Sequence, residues 1–163
     1  MKQLVVGILT LSLSGLGALP PTGAAEACST FLLSGAQGPV FGKSYDWHDA
    51  GGMMVANRRG VTKRAFILSP KDKPLTWTSR YASVTFNQYG WEFPNGGLNE
   101  AGLAVEIMWL DGSRYPATDS RGAVTELQWI QYNLDRFPTV AAMVAHAPTI
   151  RVSPIYGRVH YLA

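Results

Sequence analysis

The sequence predicts an α+β domain of layered architecture, with short strands first and helices after them. Three observations carry this. From Ser29 to Trp109 the chain runs as brief β-prone segments separated by Gly, Pro, Asn and Asp turns. Between Glu126 and Phe137 the apolar residues Leu127, Ile130, Leu134 and Phe137 recur at spacings of three and four, the period of an amphipathic helix. The stretch Val159-His160-Tyr161-Leu162-Ala163 then returns to a strand pattern. Strands followed by helices imply an α+β layered protein whose sheet starts at the mature N-terminus.

Taken in order, residues 29–33 form the first strand, 34–39 a turn, and 40–45 a second strand, so the pair reads as a hairpin. Asp46-Trp47-His48-Asp49 ends it, and Gly51-Gly52 turns the chain again. Residues 53–57 and 64–68 are the next strands, divided by Arg58-Arg59-Gly60. Residues 69–74 read as an exposed turn, and 75–78 and 81–87 as further strands. The glycine density from Gly90 to Gly102 predicts sharp turns and close backbone approaches. Residues 104–109 are strongly apolar except for Glu106, whose burial would demand a partner. Residues 111–122 are polar and turn-rich. Thr125 with Gln128 three residues on fits a capping box at the start of the helix, and Pro138 ends it. Thr139 caps a second helix over residues 140–146, stopped by Pro148.

The first 27 residues read as an export signal. Lys2 gives a short basic start, Leu4 to Leu19 is mostly apolar, and Ala25-Glu26-Ala27 fits a small-x-small cleavage site. Gly and Ser interrupt the apolar stretch, so no stable membrane span is expected once the leader is removed. The chain therefore divides into a signal peptide, 1–27, and a mature part, 28–163, with a periplasmic or secreted destination. Lys and Arg number 14 against 11 Asp and Glu, a net charge of +3. The charge is scattered and not interleaved with aromatics, which speaks against nucleic acid as a partner.

Cleavage after Ala27 would place the chain's single cysteine, Cys28, at the mature N-terminus. One residue would then hold a thiol and a free α-amine. Such an amine has an unperturbed pKa near 8 and can take the thiol proton directly or through a water. The thiolate attacks an acyl carbon, and the protonated amine serves the departing nitrogen. Asp46 and Lys43 lie on the neighbouring strand. A carboxylate there suits an α-ammonium, and a cation suits a thiolate. The competing readings are an ordinary strand-end charge and a surface lysine. His48, His146 and His160 lack metal-ligand spacing, so no metal or cofactor is expected. Trp91, Phe93 and Trp109 are candidates to line an apolar acyl pocket, with core packing as the alternative for each.

Three stretches together resemble the choloylglycine hydrolase family, which includes penicillin V acylases and conjugated bile salt hydrolases. They are Cys28-Ser29-Thr30-Phe31, then Phe41-Gly42-Lys43-Ser44-Tyr45-Asp46-Trp47, then Gly97-Leu98-Asn99-Glu100-Ala101-Gly102-Leu103. The resemblance implies an N-terminal nucleophile hydrolase αββα sandwich that cleaves linear, non-peptide C–N amide bonds in small N-acyl compounds. It implies Cys28 as nucleophile and Asp46 as the carboxylate that contacts its amine. Lys43 falls where better-known members carry an arginine; the charge is kept and the bidentate fork is not. Asn99 belongs to a turn with a structural role. Trp109 stands at a position on the oxyanion and substrate side, where its indole N–H is a candidate donor. Family members are longer chains that also use a later asparagine and arginine, so the expectation is that only the first half of the sandwich is present. A homo-oligomer is left open. Two other readings compete: a non-catalytic envelope lipoprotein or binding module anchored at Cys28, and an inactive truncated homologue.

Overall fold

The computed structural model describes residues 28–47, 49 and 51–163; the expected leader, 1–27, and His48 lie outside the described residues. Strands β1 (Ser29–Gly35) and β2 (Gly38–Ser44) form an antiparallel hairpin in which Ser29 faces Ser44 and Gly35 faces Gly38. Gly38 turns the corner with φ +105°, a conformation that favours glycine. Next come β3 (Met53–Asn57), β4 (Thr62–Arg64), β5 (Lys73–Pro74), β6 (Thr76–Thr78), β7 (Ser83–Asn87), β8 (Pro94–Asn99), β9 (Ala104–Trp109) and β10 (Gly122–Val124). Helices α1 (Glu126–Arg136) and α2 (Val140–His146) follow, then β11 (Ile150–Val152) and β12 (Val159–Leu162).

The main sheet has five antiparallel strands in the order β12-β9-β8-β7-β3. Its inward face alternates with its outward face along each strand, as the two-residue period requires. Ser83, Thr85 and Asn87 of β7 are buried, and Val84 and Phe86 between them are exposed. Helix α1 lies on the inward face. Leu127, Ile130 and Leu134 pack there with Leu103, Val105, Ile107, Met143 and Val159. On its other side Tyr132 and Val124 join Ala65, Trp77 and Ile150 in a second cluster. This second layer is made of the β4–β6 pair and the short parallel sheet β11-β10-β5.

Because α1 is covered on both sides, its polar residues are buried too, which the amphipathic reading did not anticipate. Each of several finds an internal partner. Gln128 accepts from the Phe66 N–H at 2.7 Å, so its side chain is not free to complete the expected capping box. Only the forward half of that box forms, with Thr125 Oγ1 accepting from the Gln128 N–H at 3.4 Å. Asp135 accepts from Lys63, from the Trp77 indole at 2.7 Å and from Gln131 at 3.0 Å. Asn99 closes the other end of the helix. Its amide donates to the Leu134 and Phe137 carbonyls at 2.9 and 2.7 Å, and its oxygen accepts from the Ala101 and Leu103 N–H groups at 3.1 and 3.0 Å.

Several elements depart from the sequence reading. The glycine-rich stretch is not only turns: residues 94–99 form central strand β8. Gly96 and Gly97 are needed there for close approach. A Cβ on Gly97 would sit 2.5 Å from the Val84 carbonyl and 3.0 Å from Leu134, so glycine lets α1 settle on the sheet. The strand expected at 64–68 ends at Arg64, and the turn expected at 69–74 contains the buried Asp72 and β5. Strands β10 and β11 are three residues each, too short to show a period.

Candidate functional site

Cys28 sits one residue before β1 and is half-buried with a free thiol. It lines a cavity of about 140 Å³ whose other walls include Tyr45, Trp47, Tyr89, Asn95, Trp109 and Tyr156. The hairpin register explains part of this. Ser29 faces Ser44, so Cys28 comes beside Tyr45 as the two strands run on. The aromatic walls are set by ring contacts. Trp47 packs on Trp109 with centroids 5.7 Å apart, Tyr45 lies 6.5 Å from Trp47, and Tyr89 stacks on Tyr156 at 5.6 Å. Burial pushes the Tyr45 phenol well above its ordinary pKa, and the neighbouring Tyr89 and Cys28 add to the shift. Tyr45 therefore stays protonated and donates to Gln88 at 3.0 Å.

Lys43 lies on the same hairpin, paired with Thr30, two residues from Cys28. Its ammonium is fully engaged. It donates to Glu106 at 3.0 Å, to the Ile107 carbonyl at 2.7 Å and to the Asn95 carbonyl at 3.3 Å. It also sits 5.0 Å above the Tyr45 ring. Lys43 lines a second, larger cavity of about 590 Å³ together with Glu106, Met53, Met54 and Phe86, and is not a wall of the Cys28 cavity. Its partner answers the question raised by a carboxylate in an apolar strand. Glu106 is buried on the outward face of β9, and its carboxylate lies directly over Gly96, where any Cβ would collide with it. Desolvation pushes the Glu106 carboxyl up, and Lys43 pulls it back.

Asp46 follows β2 on the exposed side, with Oδ1 accepting from Ser44 at 2.9 Å. It is not among the residues that line the Cys28 cavity. Trp109 does line it, but the indole N–H donates to Asp111 at 3.0 Å. The indole N–H expected on the oxyanion side is thus engaged by Asp111 in this structure. Trp91 and Phe93 are placed elsewhere. Trp91 is exposed beside Met53 and Arg58 on another surface, and Phe93 packs edge-on against Phe66 at 6.1 Å. His146 accepts or donates with Tyr132 at 2.7 Å in the helix layer, remote from these walls.

Residues that the sequence reading did not single out are Tyr45, Trp47, Tyr89, Asn95, Tyr156 and Glu126, all at the cavity. Tyr45 and Trp47 stand inside a motif that was read, two residues apart and flanking Asp46. Asn95 was hidden in the glycine-rich stretch. Among the described residues no helix is long and apolar enough to cross a membrane.

No family model matches the chain. The penicillin V acylase of Pectobacterium atrosepticum is 38% identical over 73 residues, covering 40% of this chain and 19% of that protein. Among solved structures, penicillin V acylase from Agrobacterium tumefaciens superposes with a TM-score of 0.68 at 28% identity, covering 83% of this chain and 42% of the other. A mutant conjugated bile acid hydrolase from Clostridium perfringens gives a TM-score of 0.65 at 15% identity, covering 83% and 44%. The latter likeness is one of fold. The chain thus spans less than half the length of these relatives. In sequence and in structure the chain is homologous to penicillin V acylases of the choloylglycine hydrolase family, and its described residues carry part of the N-terminal nucleophile hydrolase αββα fold.

Proposed function

We propose that this chain carries the nucleophile of an exported cysteine hydrolase that cleaves linear amides of small N-acyl compounds. The observation that carries the reading is Cys28 itself: a single thiol, one residue before a strand, half-buried in a cavity with aromatic walls. The homology to penicillin V acylases supports the same chemistry. Removal of residues 1–27 frees the Cys28 α-amine. That amine takes the thiol proton, and the sulfur attacks the acyl carbon to give a tetrahedral oxyanion. The C–N bond then breaks, the nitrogen leaves with a proton from the ammonium, and an acyl-thioester remains on Cys28. Water, deprotonated by the same amine, attacks the thioester; the carboxylic acid leaves and the thiol regains its proton.

Asp46, exposed two residues past the end of β2, holds the ammonium in this scheme. Lys43, on β2 of the hairpin, contributes a positive charge, reduced by its ion pair with Glu106. The walls made by Trp47, Trp109 and Tyr89 suit an apolar or aromatic acyl group, as in penicillin V or a conjugated bile salt. The leader predicts a periplasmic or secreted enzyme. Cys28 is half-buried among aromatic walls, a setting that suits a reactive thiol better than a lipid anchor. The test is turnover of a penicillin V or glycine-conjugated bile salt substrate by mature protein. Cys28→Ala is expected to abolish turnover, a loss of about 10³-fold or more, while Cys28→Ser keeps a weak remnant because its amine remains. Undiminished turnover in a folded Cys28→Ala protein would reject the assignment.

A further inference from the structure

Glu126 is the first residue of α1 and is almost completely buried. A carboxylate suits a helix N-terminus, but the helix does not supply its hydrogen bonds. Instead Oε1 accepts from three successive backbone N–H groups: Ile155 at 2.7 Å, Tyr156 at 2.6 Å and Gly157 at 2.8 Å. Oε2 accepts none among the described residues. The carboxylate's hydrogen bonding is thus directed at one loop, between β11 and β12. Gly157 has φ +87°, a left-handed conformation that helps turn the three N–H groups toward a common point. The middle residue of the three, Tyr156, carries the ring that stacks on Tyr89, and both rings are walls of the Cys28 cavity. Tyr156 is itself 54% exposed, so little packing from outside holds it there. Glu126 also lines the cavity.

We infer that Glu126 is a positioning residue for the Cys28 cavity: it clamps the 155–157 loop so that Tyr156 stays against Tyr89 and limits the size of the group that reaches the thiol. This rests on the reading of Cys28 as the reactive residue, but only on its accessibility, not on turnover. Charge-assisted bonds to one buried oxygen are individually strong, and three of them acting on consecutive residues leave the loop few alternatives. Loss of the clamp frees the loop to swing, and the cavity opens on the Tyr156 side.

The single cysteine makes the test direct. Cys28 is alkylated in the full chain with small iodoacetamide and with a bulky aromatic maleimide, and the ratio of the two rates is measured. Tyr156→Ala, a change at an exposed side chain, is expected to raise the bulky-to-small ratio on the order of tenfold by removing the wall. Glu126→Ala should raise it comparably, and Glu126→Gln, which keeps an acceptor oxygen but loses the charge, roughly threefold. Far-UV circular dichroism identifies folded variants, and Glu126→Gln decides the matter if Glu126→Ala does not fold. A wild-type ratio in Tyr156→Ala shows that Tyr156 is not the wall and overturns the proposal. A raised ratio in Tyr156→Ala with a wild-type ratio in Glu126→Gln and in folded Glu126→Ala overturns the clamp. Because alkylation needs no hydrolysis, an inactive protein with these ratios would sink the proposed function and leave the clamp standing.

Discussion

Two buried lysine–carboxylate pairs lie in opposite layers of this molecule, and they are built differently. In the helix layer Lys63 meets Asp135 at 2.9 Å, with both side chains almost fully enclosed. There the carboxylate is the hub, since Asp135 also accepts from Trp77 and Gln131. On the outward face of the main sheet Lys43 meets Glu106 at 3.0 Å. There the lysine is the hub, held by two backbone carbonyls besides Glu106. The first arrangement ties three elements together through one anion. The second anchors a cation between the hairpin and β8–β9. Buried pairs are weak evidence of stability in themselves, but removing one partner strands the other. The difference therefore separates a pair that ties the helix layer together from one that anchors a cation on the hairpin, at the wall of the larger cavity.

The largest expected effect breaks the two pairs unequally. Asp135→Ala strands Lys63 and deprives Trp77 and Gln131 of their acceptor, with an expected loss of about 3–5 kcal/mol in urea unfolding. Lys43→Met strands Glu106 alone, and the double variant Lys43→Met with Glu106→Gln is expected to recover most of the loss. The corresponding Lys63→Met with Asp135→Asn should recover less, because the Trp77 and Gln131 bonds are weakened as well. Equal recovery in the two double-mutant cycles would erase the distinction.

A smaller, pH-dependent effect belongs to a third buried pair. Arg151 and Ser153 hold the Asp72 carboxyl down, from its ordinary 3.8 to about 2, with Thr118 contributing at 3.0 Å. A carboxyl lowered in the folded state stabilises the protein fully above its unfolded value, and that contribution is lost as pH falls from 3.8 toward 2. Thermal unfolding followed across this window should decline less steeply in Asp72→Asn than in wild type. Parallel curves would show that Asp72 titrates alike in both states.

The sequence disclosed the elements whose signal is local. The β1–β2 hairpin shows β-prone runs around a Gly-Pro turn, α1 shows a spacing of three and four, and Cys28 shows itself as the sequence's single cysteine after a stretch that reads as a leader. What stayed hidden depends on partners distant in the chain. Strand β8 is held by neighbours on both sides despite its glycines, and β5, β10 and β11 exist only as two- and three-residue pairings. Glu106 looked out of place until Lys43, 63 residues away, was brought beside it. Glu126 gave no signal at all, because its donors are backbone N–H groups that any residue type would provide. The aromatic walls around Cys28 come from four separate loops and strands, and no spacing announces such a gathering.

The most direct test of Cys28 as nucleophile is the intact mass of the mature protein, acid-quenched during turnover of penicillin V or a conjugated bile salt. With Cys28 as nucleophile, the mature chain begins at Cys28 and carries one acyl group on that residue, absent in Cys28→Ala. A mature chain beginning elsewhere, or turnover with the acyl group on another residue, would contradict it.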